Sequence, residues 1–213
     1  MPLHTIARGA KGEPDGVLVF LHGRGSDEEN ALALAHSVDP DERLLLVAPR
    51  APLALPPGGA HWYQLYKLGY PDPETFTVVA PLLALWLQLL PQHTGVPLER
   101  TVLAGFSQGS MMTWSVAAGP TAPPLAGVIG VAGFVPEVPG FDLDLTRLAN
   151  TPTLVTHGAN DDVVGVEWGR AAYEALVTAG VPVTYVETTA AHDVDEVGAQ
   201  AISDFLATVL PPR

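Results

Sequence analysis

The sequence of 213 residues contains no cysteine, few basic residues and no long uninterrupted apolar run. The absence of cysteine excludes disulfides, thiolate metal sites, iron–sulfur clusters and a cysteine nucleophile. With 10 Lys+Arg against 23 Asp+Glu, the formal net charge is −13, and no basic cluster is present to neutralise several phosphates together. The composition therefore argues against binding to nucleic acid.

Two further absences concern targeting. The longest apolar run, residues 78–90, is interrupted by Pro81 and Gln88 and is shorter than the roughly 20 residues that span a bilayer. The first nine residues lack the basic and apolar regions of a secretory signal, so we expect no membrane span and a cytoplasmic location. Hydrophobic content of 47% and charged content of 15% oppose disorder, and the length fits a single domain over residues 1–213.

What the chain does contain is a regular alternation of short apolar runs and longer segments of helical pattern. The runs are continuously apolar, as in strands covered on both faces. They predict strands at Val17–Leu21, Leu44–Ala48, Thr101–Gly105, Gly127–Ala132, Thr153–Thr156 and Val183–Glu187. The helical pattern predicts helices at Glu28–Ser37, Thr75–Gln92, Gln108–Ala118, Val166–Ala179 and Val194–Leu210. This succession predicts an α/β protein with a mainly parallel sheet and helices on both faces.

A candidate nucleophile follows the third predicted strand. Two glycines flank Ser107 in the motif Gly105-Phe106-Ser107-Gln108-Gly109. This spacing is that of a nucleophile elbow, in which glycines permit a sharp strand-to-helix turn that exposes the serine hydroxyl. With 21 Gly and 6 Ser in the chain, about 0.06 matches to the motif are expected by chance (21 × 21 × 6 / 213²). We therefore interpret Ser107 as a nucleophile rather than an ordinary turn residue.

A serine nucleophile needs a base and an acid that orients the base, and in this architecture they follow the serine in the order acid, then histidine. Only His157 and His192 lie beyond Ser107, and only His192 follows Asp161. His192 stands between the last strand and the last helix, so we predict that it is the base. We expect His157 to close the fifth strand as a partly buried polar residue.

Four carboxylates compete for the role of the acid. Asp161 and Asp162 follow the fifth strand, whereas Asp142 and Asp144 lie in a loop before it. Functional groups gather at the carboxyl ends of parallel strands, which favours the first pair. We choose Asp161 and assign Asp162 to capping the helix that begins near residue 164, a common use of aspartate. Asp193 and Asp195 are expected as first-turn charges of the final helix.

Attack on an acyl carbon builds negative charge on oxygen, which two backbone N–H groups should stabilise. We assign these donors to Gln108, directly after the nucleophile, and to Arg24, in the glycine-flanked loop after the first strand. For the guanidinium of Arg24 we expect an ion pair with an acidic residue at 27–29. Gly23 and Gly25 do not begin a dinucleotide site, because the third glycine of that fingerprint is absent.

The remaining features carry weaker expectations. Trp62 and Tyr63 belong to the only aromatic cluster and are predicted either to form a substrate wall or to pack in the core. Asp161 and Asp162 have no neighbouring ligand spacing that completes a metal shell, so we expect neither metal nor cofactor. Oligomeric state is left open, with a homodimer as the one assembly considered.

Taken together, four stretches resemble small α/β-hydrolases of the phospholipase/carboxylesterase family, which includes acyl-protein thioesterases and bacterial serine esterases. The stretches are 21–28, 105–110, 157–164 and His192, and the resemblance covers nearly the whole chain. It implies an α/β-hydrolase fold without a large cap domain, and a triad at Ser107, Asp161 and His192. Two positions depart from the usual pattern, with Ala191 in place of glycine and Gly165 in place of proline.

These observations predict a serine carboxylesterase that hydrolyses small to medium acyl esters, a class of small-molecule substrate, through an acyl-enzyme on Ser107. The net charge of −13 favours neutral esters over strongly anionic ones. Two alternatives use the same triad, namely acyl thioesterase and lysophospholipase activity. A third, from another class, is a non-catalytic binding module with this fold.

Overall fold

The structure is a computed structural model that describes residues 3–213. Its strands are β1 Thr5–Arg8, β2 Val17–Leu21, β3 Leu45–Pro49, β4 Leu53–Leu55, β5 Gly59–His61, β6 Leu65–Lys67, β7 Tyr70–Pro71, β8 Thr101–Phe106, β9 Gly127–Val131, β10 Thr153–Gly158 and β11 Val183–Thr188. Its α-helices are α1 Glu28–Ser37, α2 Pro73–Thr94, α3 Gln108–Ala117, α4 Val166–Thr178 and α5 Glu196–Val209. Two 3₁₀ turns lie at Leu98–Arg100 and Leu145–Leu148.

One sheet of seven strands runs through the molecule in the order β1-β3-β2-β8-β9-β10-β11. All neighbouring pairs are parallel except β1 and β3, which are antiparallel. Every residue of β2, β9 and β10 is buried, as the continuously apolar runs predict for strands covered on both faces. The α/β prediction and the six predicted strands are confirmed, with boundaries that differ by at most two residues.

Helices cover both faces of this sheet and form two hydrophobic cores. On one face, side chains of α1 and α5, such as Ala35 and Ile202, pack against the strands. On the other, side chains of α2, α3 and α4, such as Leu83, Met112 and Leu176, form a larger core. Because β2, β8, β9, β10 and β11 are parallel, their carboxyl ends meet at one edge of the sheet, which is where the candidate residues stand.

Five short strands, β1 and β4 to β7, are not among the strands predicted from the sequence. β1 is a four-residue edge strand with no residue fully buried, so it lacks the continuous apolar run that marks the inner strands. The strands β4 to β7 form two small antiparallel pairs of two to three residues each in the glycine- and proline-rich region 51–71. Strands this short carry too few residues to show periodicity.

The helix α2 is longer than predicted and passes through both interruptions of the apolar run, Pro81 and Gln88. By length and composition alone it could cross a membrane. The burial of its side chains instead identifies a helix of the protein core. Leu83, Trp86 and Leu87 have no solvent exposure and pack in the larger core. Leu85, on the opposite face, is half exposed. α2 is thus an amphipathic core helix of this fold.

This interpretation of α2 predicts different costs for two matched substitutions. Leu83→Ala should lower the free energy of unfolding by about 2–5 kcal/mol, because it opens a cavity in the core. Leu85→Ala, two residues away on the solvent side, should cost less than about 1 kcal/mol. Urea unfolding followed by circular dichroism measures both, and equal costs would contradict the assigned faces of the helix.

Candidate active site

Ser107 occupies a tight turn between β8 and α3. Its backbone has φ 52° and ψ −119°, a conformation that residues with a side chain rarely adopt. The N–H of Ser107 donates to the carbonyl of Val131 on β9 (2.8 Å), and its own carbonyl accepts the N–H of Ser110 (2.9 Å). Neighbouring strand and helix therefore hold the strained residue in place.

The two glycines of the motif are required by close backbone packing. A Cβ at Gly105 would collide with the backbone of Gly109, and a Cβ at Gly109 would collide with the carbonyl of Leu21 at the end of β2. Larger residues at either position would push α3 away from the sheet. The spacing of the motif thus reflects how closely the helix begins above the strands.

His192 and Asp161 form a short hydrogen-bonded pair. Nδ1 of His192 donates to Oδ2 of Asp161 at 2.7 Å, and the carboxylate is fully buried while the imidazole is 18% exposed. The other carboxylate oxygen, Oδ1, accepts the backbone N–H groups of Val163 (2.9 Å) and Val164 (2.8 Å). Both oxygens are therefore satisfied, and the carboxylate fixes the orientation and tautomer of the imidazole.

The surroundings of Asp161 keep it ionised. Burial alone would raise the pKa of this carboxyl, but the hydrogen bonds from His192, Val164 and Val163 outweigh burial and hold the pKa below its ordinary value. A negative charge next to Nδ1 then stabilises the imidazolium that forms when His192 accepts a proton.

The imidazole of His192 reaches the turn that carries Ser107. Its ring packs against the ring of Phe106, the residue before the serine, with centroids 4.8 Å apart. Among residues 3–213, a hydrogen bond joins His192 to Asp161 but none joins it to Ser107. Serine–imidazole bonds are often long without substrate and tighten when substrate binds.

The second histidine beyond Ser107 serves a different purpose. His157 lies on β10 with a fully buried side chain, and its Nε2 donates to the carbonyl of Val164 at 2.7 Å. The same nitrogen is 3.4 Å from Oδ2 of Asp161. The expectation of a partly buried residue is corrected: His157 is an internal support of the loop that presents Asp161.

The other candidate carboxylates lie in structural roles. Asp142 pairs with Arg147 at 2.8 Å, and Asp144 caps the 3₁₀ turn that follows it by accepting the N–H of Thr146. Asp195 caps α5 by accepting the N–H of Gly198. Asp193 stands exposed before the helix, so only one of the two first-turn charges predicted there belongs to the cap.

The expected capping role of Asp162 is wrong. α4 begins at Val166, its N-cap is Gly165, and no side chain caps it. The backbone N–H groups near residue 164 bind Asp161 instead, while Asp162 is exposed. Asp162 lies three residues before the N-cap Gly165, too far from the first turn of α4 to cap it.

The loop after β2 approaches the serine directly. A Cβ at Gly23 would lie 3.3 Å from the Cβ of Ser107, a tight contact that shows how closely this backbone passes the serine. Arg24 follows with an exposed side chain. On the other side, Gln108 opens α3, where the N–H groups of the first helical turn have no partner within the helix.

The ion pair expected for the guanidinium of Arg24 does not form. Glu28 pairs with Arg50 at 2.7 Å and with His4 at 3.2 Å, and Asp27 caps α1 by accepting the N–H of Asn30. Asp27 and Glu28 are thus engaged in capping α1 and in pairing with Arg50 and His4, while Glu29 is exposed.

His22 anchors this loop through both ring nitrogens. Nδ1 donates to the carbonyl of Gly23 at 2.8 Å, and Nε2 accepts the N–H of Ala51 at 3.0 Å. The ring is buried, and burial lowers its pKa from the ordinary value. A neutral imidazole with its proton on Nδ1 satisfies both contacts, whereas a second proton on Nε2 would face the N–H of Ala51.

Trp62 and Tyr63 have no solvent-exposed surface, so they cannot form a wall of an open site. Both residues pack in the larger core, as the second of the two predicted alternatives states, and the prediction of a substrate wall is wrong. Trp62 donates through its indole Nε1 to the carbonyl of His22 (2.9 Å), and the Tyr63 hydroxyl lies 3.0 Å from the sulfur of Met111. Sequence reasoning could not separate the alternatives, because aromatic residues suit both.

An apolar groove that the sequence did not reveal begins near these strand ends. It has a volume of about 910 Å³ and lies between α4, the segment 134–145 and the turn at residues 69–70. Phe134 and Trp168 stack at 4.7 Å and both line it. Ser107, Asp161 and His192 do not line the groove, but its residue Phe134 directly follows Gly133, where an added Cβ would lie 3.0 Å from the carbonyl oxygen of Ser107. Within residues 3–213, no group of three or more His, Asp or Glu side chains is arranged to hold a metal ion.

Comparison with known families identifies the family to which the chain belongs. The sequence model of the phospholipase/carboxylesterase family matches residues 4–210. The chain belongs to this family. Family membership accords with the resemblance deduced from the four motif stretches and explains why they occur in that order along the chain.

The chain is similar in sequence to proteins named as thioesterases and esterases. It is 27% identical to acyl-protein thioesterase 1 of Yarrowia lipolytica over 190 residues, which cover 83% of this chain and 82% of that protein. It is 25% identical to esterase YpfH of Escherichia coli over 219 residues, covering 98% and 89% of the two chains. The family and both relatives are consistent with the ester hydrolase that the sequence predicts.

Solved structures confirm the α/β-hydrolase fold. The crystal structure of esterase PE8 superimposes with a TM-score of 0.81 at 26% identity, covering 98% of this chain and 99% of that one. A carboxylesterase from Mesorhizobium loti superimposes with a TM-score of 0.86 at 22% identity, covering 97% and 95%, and at this identity the likeness concerns the fold alone. Within residues 3–213, no large cap domain is added to the sheet and its helices, as the resemblance implies.

The buried His22 predicts a pH dependence of stability. The folded state holds the imidazole neutral, whereas the unfolded chain protonates it near its ordinary value of 6.5. Its contribution to the free energy of unfolding is therefore present above that pH and is lost as the pH falls. His22→Gln, which is neutral throughout, should be less stable at pH 7.5 but lose less stability between pH 7.5 and 5.5.

Chemical denaturation at several pH values tests this, with His93→Gln, an exposed position in the last turn of α2, as the matched control. If the His22 variant shows the same pH slope as the parent protein, the neutral-imidazole account of the loop is incorrect.

Proposed function

We propose that the protein is a carboxylesterase that hydrolyses small to medium acyl esters through an acyl-enzyme on Ser107. The observation that carries the proposal is the buried Asp161–His192 pair, whose imidazole packs against the strained turn of the candidate nucleophile. A serine held in a strained turn, a histidine oriented through Nδ1 and an ionised buried carboxylate form the arrangement that activates a hydroxyl.

In the first half of the reaction, Oγ of Ser107 attacks the acyl carbon while Nε2 of His192 takes its proton. The tetrahedral intermediate collapses as the imidazolium returns that proton to the leaving alcohol, which leaves the acyl group on Ser107. Water then attacks the acyl-enzyme, again giving a proton to His192, and the carboxylic acid departs as Ser107 recovers its proton.

Two backbone N–H groups, of Arg24 and Gln108, are proposed to bind the oxyanion of both tetrahedral intermediates. The close approach of Gly23 to Ser107 brings the loop after β2 against the nucleophile, and Gln108 stands at the N-terminus of α3. Donors at a helix N-terminus need no reorganisation when the negative charge develops, so they stabilise the transition state more than the substrate.

The apolar groove along α4 supports acyl chains as the apolar portion of the substrate. Its lining is aromatic and aliphatic apart from Glu137, and its volume of about 910 Å³ lies within the range of small-molecule sites. The net charge of −13 disfavours strongly anionic substrates. Neutral esters with an acyl chain that extends into this groove satisfy both conditions.

Replacement of Ser107 by alanine tests the nucleophile. Ser107→Ala should lower kcat for p-nitrophenyl butyrate by at least about 10³-fold, because no other group supplies the attacking oxygen. The circular dichroism spectrum and Tm should stay near those of the parent protein. Ser37→Ala, at the exposed end of α1, is the matched control, and hydrolysis retained by the Ser107 variant would exclude the assignment.

The groove predicts a change in chain-length preference. Ala175 lines it from α4, so Ala175→Leu should shorten it and lower kcat/KM for octanoate esters by about 10-fold or more while leaving acetate esters within about twofold. Ala207→Leu, on the exposed face of α5, adds the same side chain elsewhere. Equal losses for acetate and octanoate esters in the Ala175 variant would show that the groove does not hold the acyl chain.

Thioesterase activity is the second candidate, since several relatives are named acyl-protein thioesterases. The same triad attacks a thioester as readily as an oxygen ester, and only the leaving group differs. Paired oxygen esters and thioesters of equal acyl length, compared by kcat/KM on the unsubstituted protein, distinguish the two activities.

A further inference from the structure

The segment at Trp62–Tyr63, between β5 and β6, is tied to the side chain of Gln108. The backbone N–H of Trp62 donates to Oε1 of Gln108 at 2.8 Å, and Nε2 of Gln108 donates to the carbonyl of Tyr63 at 2.8 Å. Gln108 is 3% exposed and both aromatic residues are fully buried. A planar amide bonded at both ends holds one orientation, so the start of α3 is fixed relative to this segment.

The same segment is tied to the loop after β2 through the indole of Trp62. Its Nε1 donates to the carbonyl of His22 at 2.9 Å, and the two rings lie against each other with centroids 5.3 Å apart. The ring of His22 in turn binds the carbonyl of Gly23 and the N–H of Ala51. The loop is therefore held by Trp62 and by the ring of His22.

Two backbone bonds extend this connection along the loop. The N–H of Gly25 donates to the carbonyl of Ala60 at 2.9 Å, and the N–H of Ala60 donates to the carbonyl of Ser26 at 2.8 Å. Arg24 lies between the residues that these bonds and the indole bond fix. Its own N–H group is thus carried by a short stretch of backbone that is restrained before and after it.

The segment 60–63 therefore bridges the two structural elements that carry the proposed oxyanion donors. One donor belongs to the loop at Arg24 and the other to Gln108, and these lie on different elements of the chain. Oxyanion stabilisation requires both donors within about 2.7–3.1 Å of one oxygen, and a displacement of about 1 Å is enough to lose most of the effect.

We propose that Trp62 and the side-chain amide of Gln108 act as positioning residues that set the separation of the two oxyanion donors. We call this connection the oxyanion bracket, comprising Trp62, Tyr63, the Gln108 side chain and His22. The inference rests on the proposed function, in which the N–H groups of Arg24 and Gln108 bind the oxyanion. It assigns a part in the reaction to a tryptophan that touches no substrate.

The bracket acts on the transition state and leaves the triad untouched. Gln108→Met keeps the length of the side chain and the backbone N–H but removes both amide bonds, and Trp62→Phe removes the indole N–H from the other end. Each should lower kcat for p-nitrophenyl butyrate by about 10- to 100-fold with KM within about threefold. The acid limb of the pH profile of kcat/KM should stay in place, because His192 and Asp161 are unaffected.

Inhibitor binding provides an independent measurement. An alkyl trifluoromethyl ketone adds to Ser107 and places an oxyanion between the two donors, so its affinity should fall by the same factor as kcat in each variant. Ser115→Ala removes a buried hydroxyl that donates to the carbonyl of Met111 farther along α3, and it should leave both quantities unchanged.

The double variant tests whether the two ends form one unit. If they do, Gln108→Met combined with Trp62→Phe should lower kcat about as much as the more damaging single change, whereas independent effects would multiply. Multiplied effects, or single variants with lowered Tm but unchanged kcat and inhibitor affinity, would overturn the bracket.

If one variant fails to fold, the other retains the kcat, KM and inhibitor readouts. A parent protein whose hydrolysis does not depend on Ser107 would refute the proposed function itself, which separates the two failures.

Discussion

The close packing of the β8–α3 turn is the constraint on which the rest of the site depends. Gly105 and Gly109 allow the helix to begin in contact with the backbone of β2, and this contact holds Ser107 in a conformation that a side chain normally avoids. The hydrogen bond from Ser107 to Val131 ties the turn to the next strand. Because the sheet and α3 hold the turn, Ser107 has a defined position relative to the groups at the ends of the neighbouring strands.

Burial and hydrogen bonding determine the protonation state and the role of each of those groups. Asp161 is buried yet ionised, since donated hydrogen bonds outweigh the cost of desolvation, and it orients His192 from behind. His22 is buried and neutral, which lets it anchor the loop through one donated and one accepted bond. Trp62 joins that loop to α3. Asp161, His192 and His22 thus serve different purposes because their hydrogen-bond partners and their burial differ.

Much of this arrangement could be predicted from the sequence, because it is encoded locally. The inner strands are continuous apolar runs, and α1 occupies the predicted residues because Asp27 caps it. The placement of Ser107, Asp161 and His192 at strand ends follows from the parallel order of the strands. What the sequence did not reveal depends on contacts between distant parts of the chain: Trp62 is buried against His22, and Glu28 pairs with Arg50 and His4 instead of Arg24.

The central claim is that Ser107 carries the acyl group during turnover. Reaction of the folded protein with a fluorophosphonate, followed by proteolysis and mass spectrometry, tests it most directly, because the reagent forms a stable adduct only with a serine that a neighbouring base activates. The account predicts one adduct per chain, on the peptide that contains Ser107, and none after prior denaturation. An adduct on a different residue, or complete ester hydrolysis by protein that takes up no label, would contradict it.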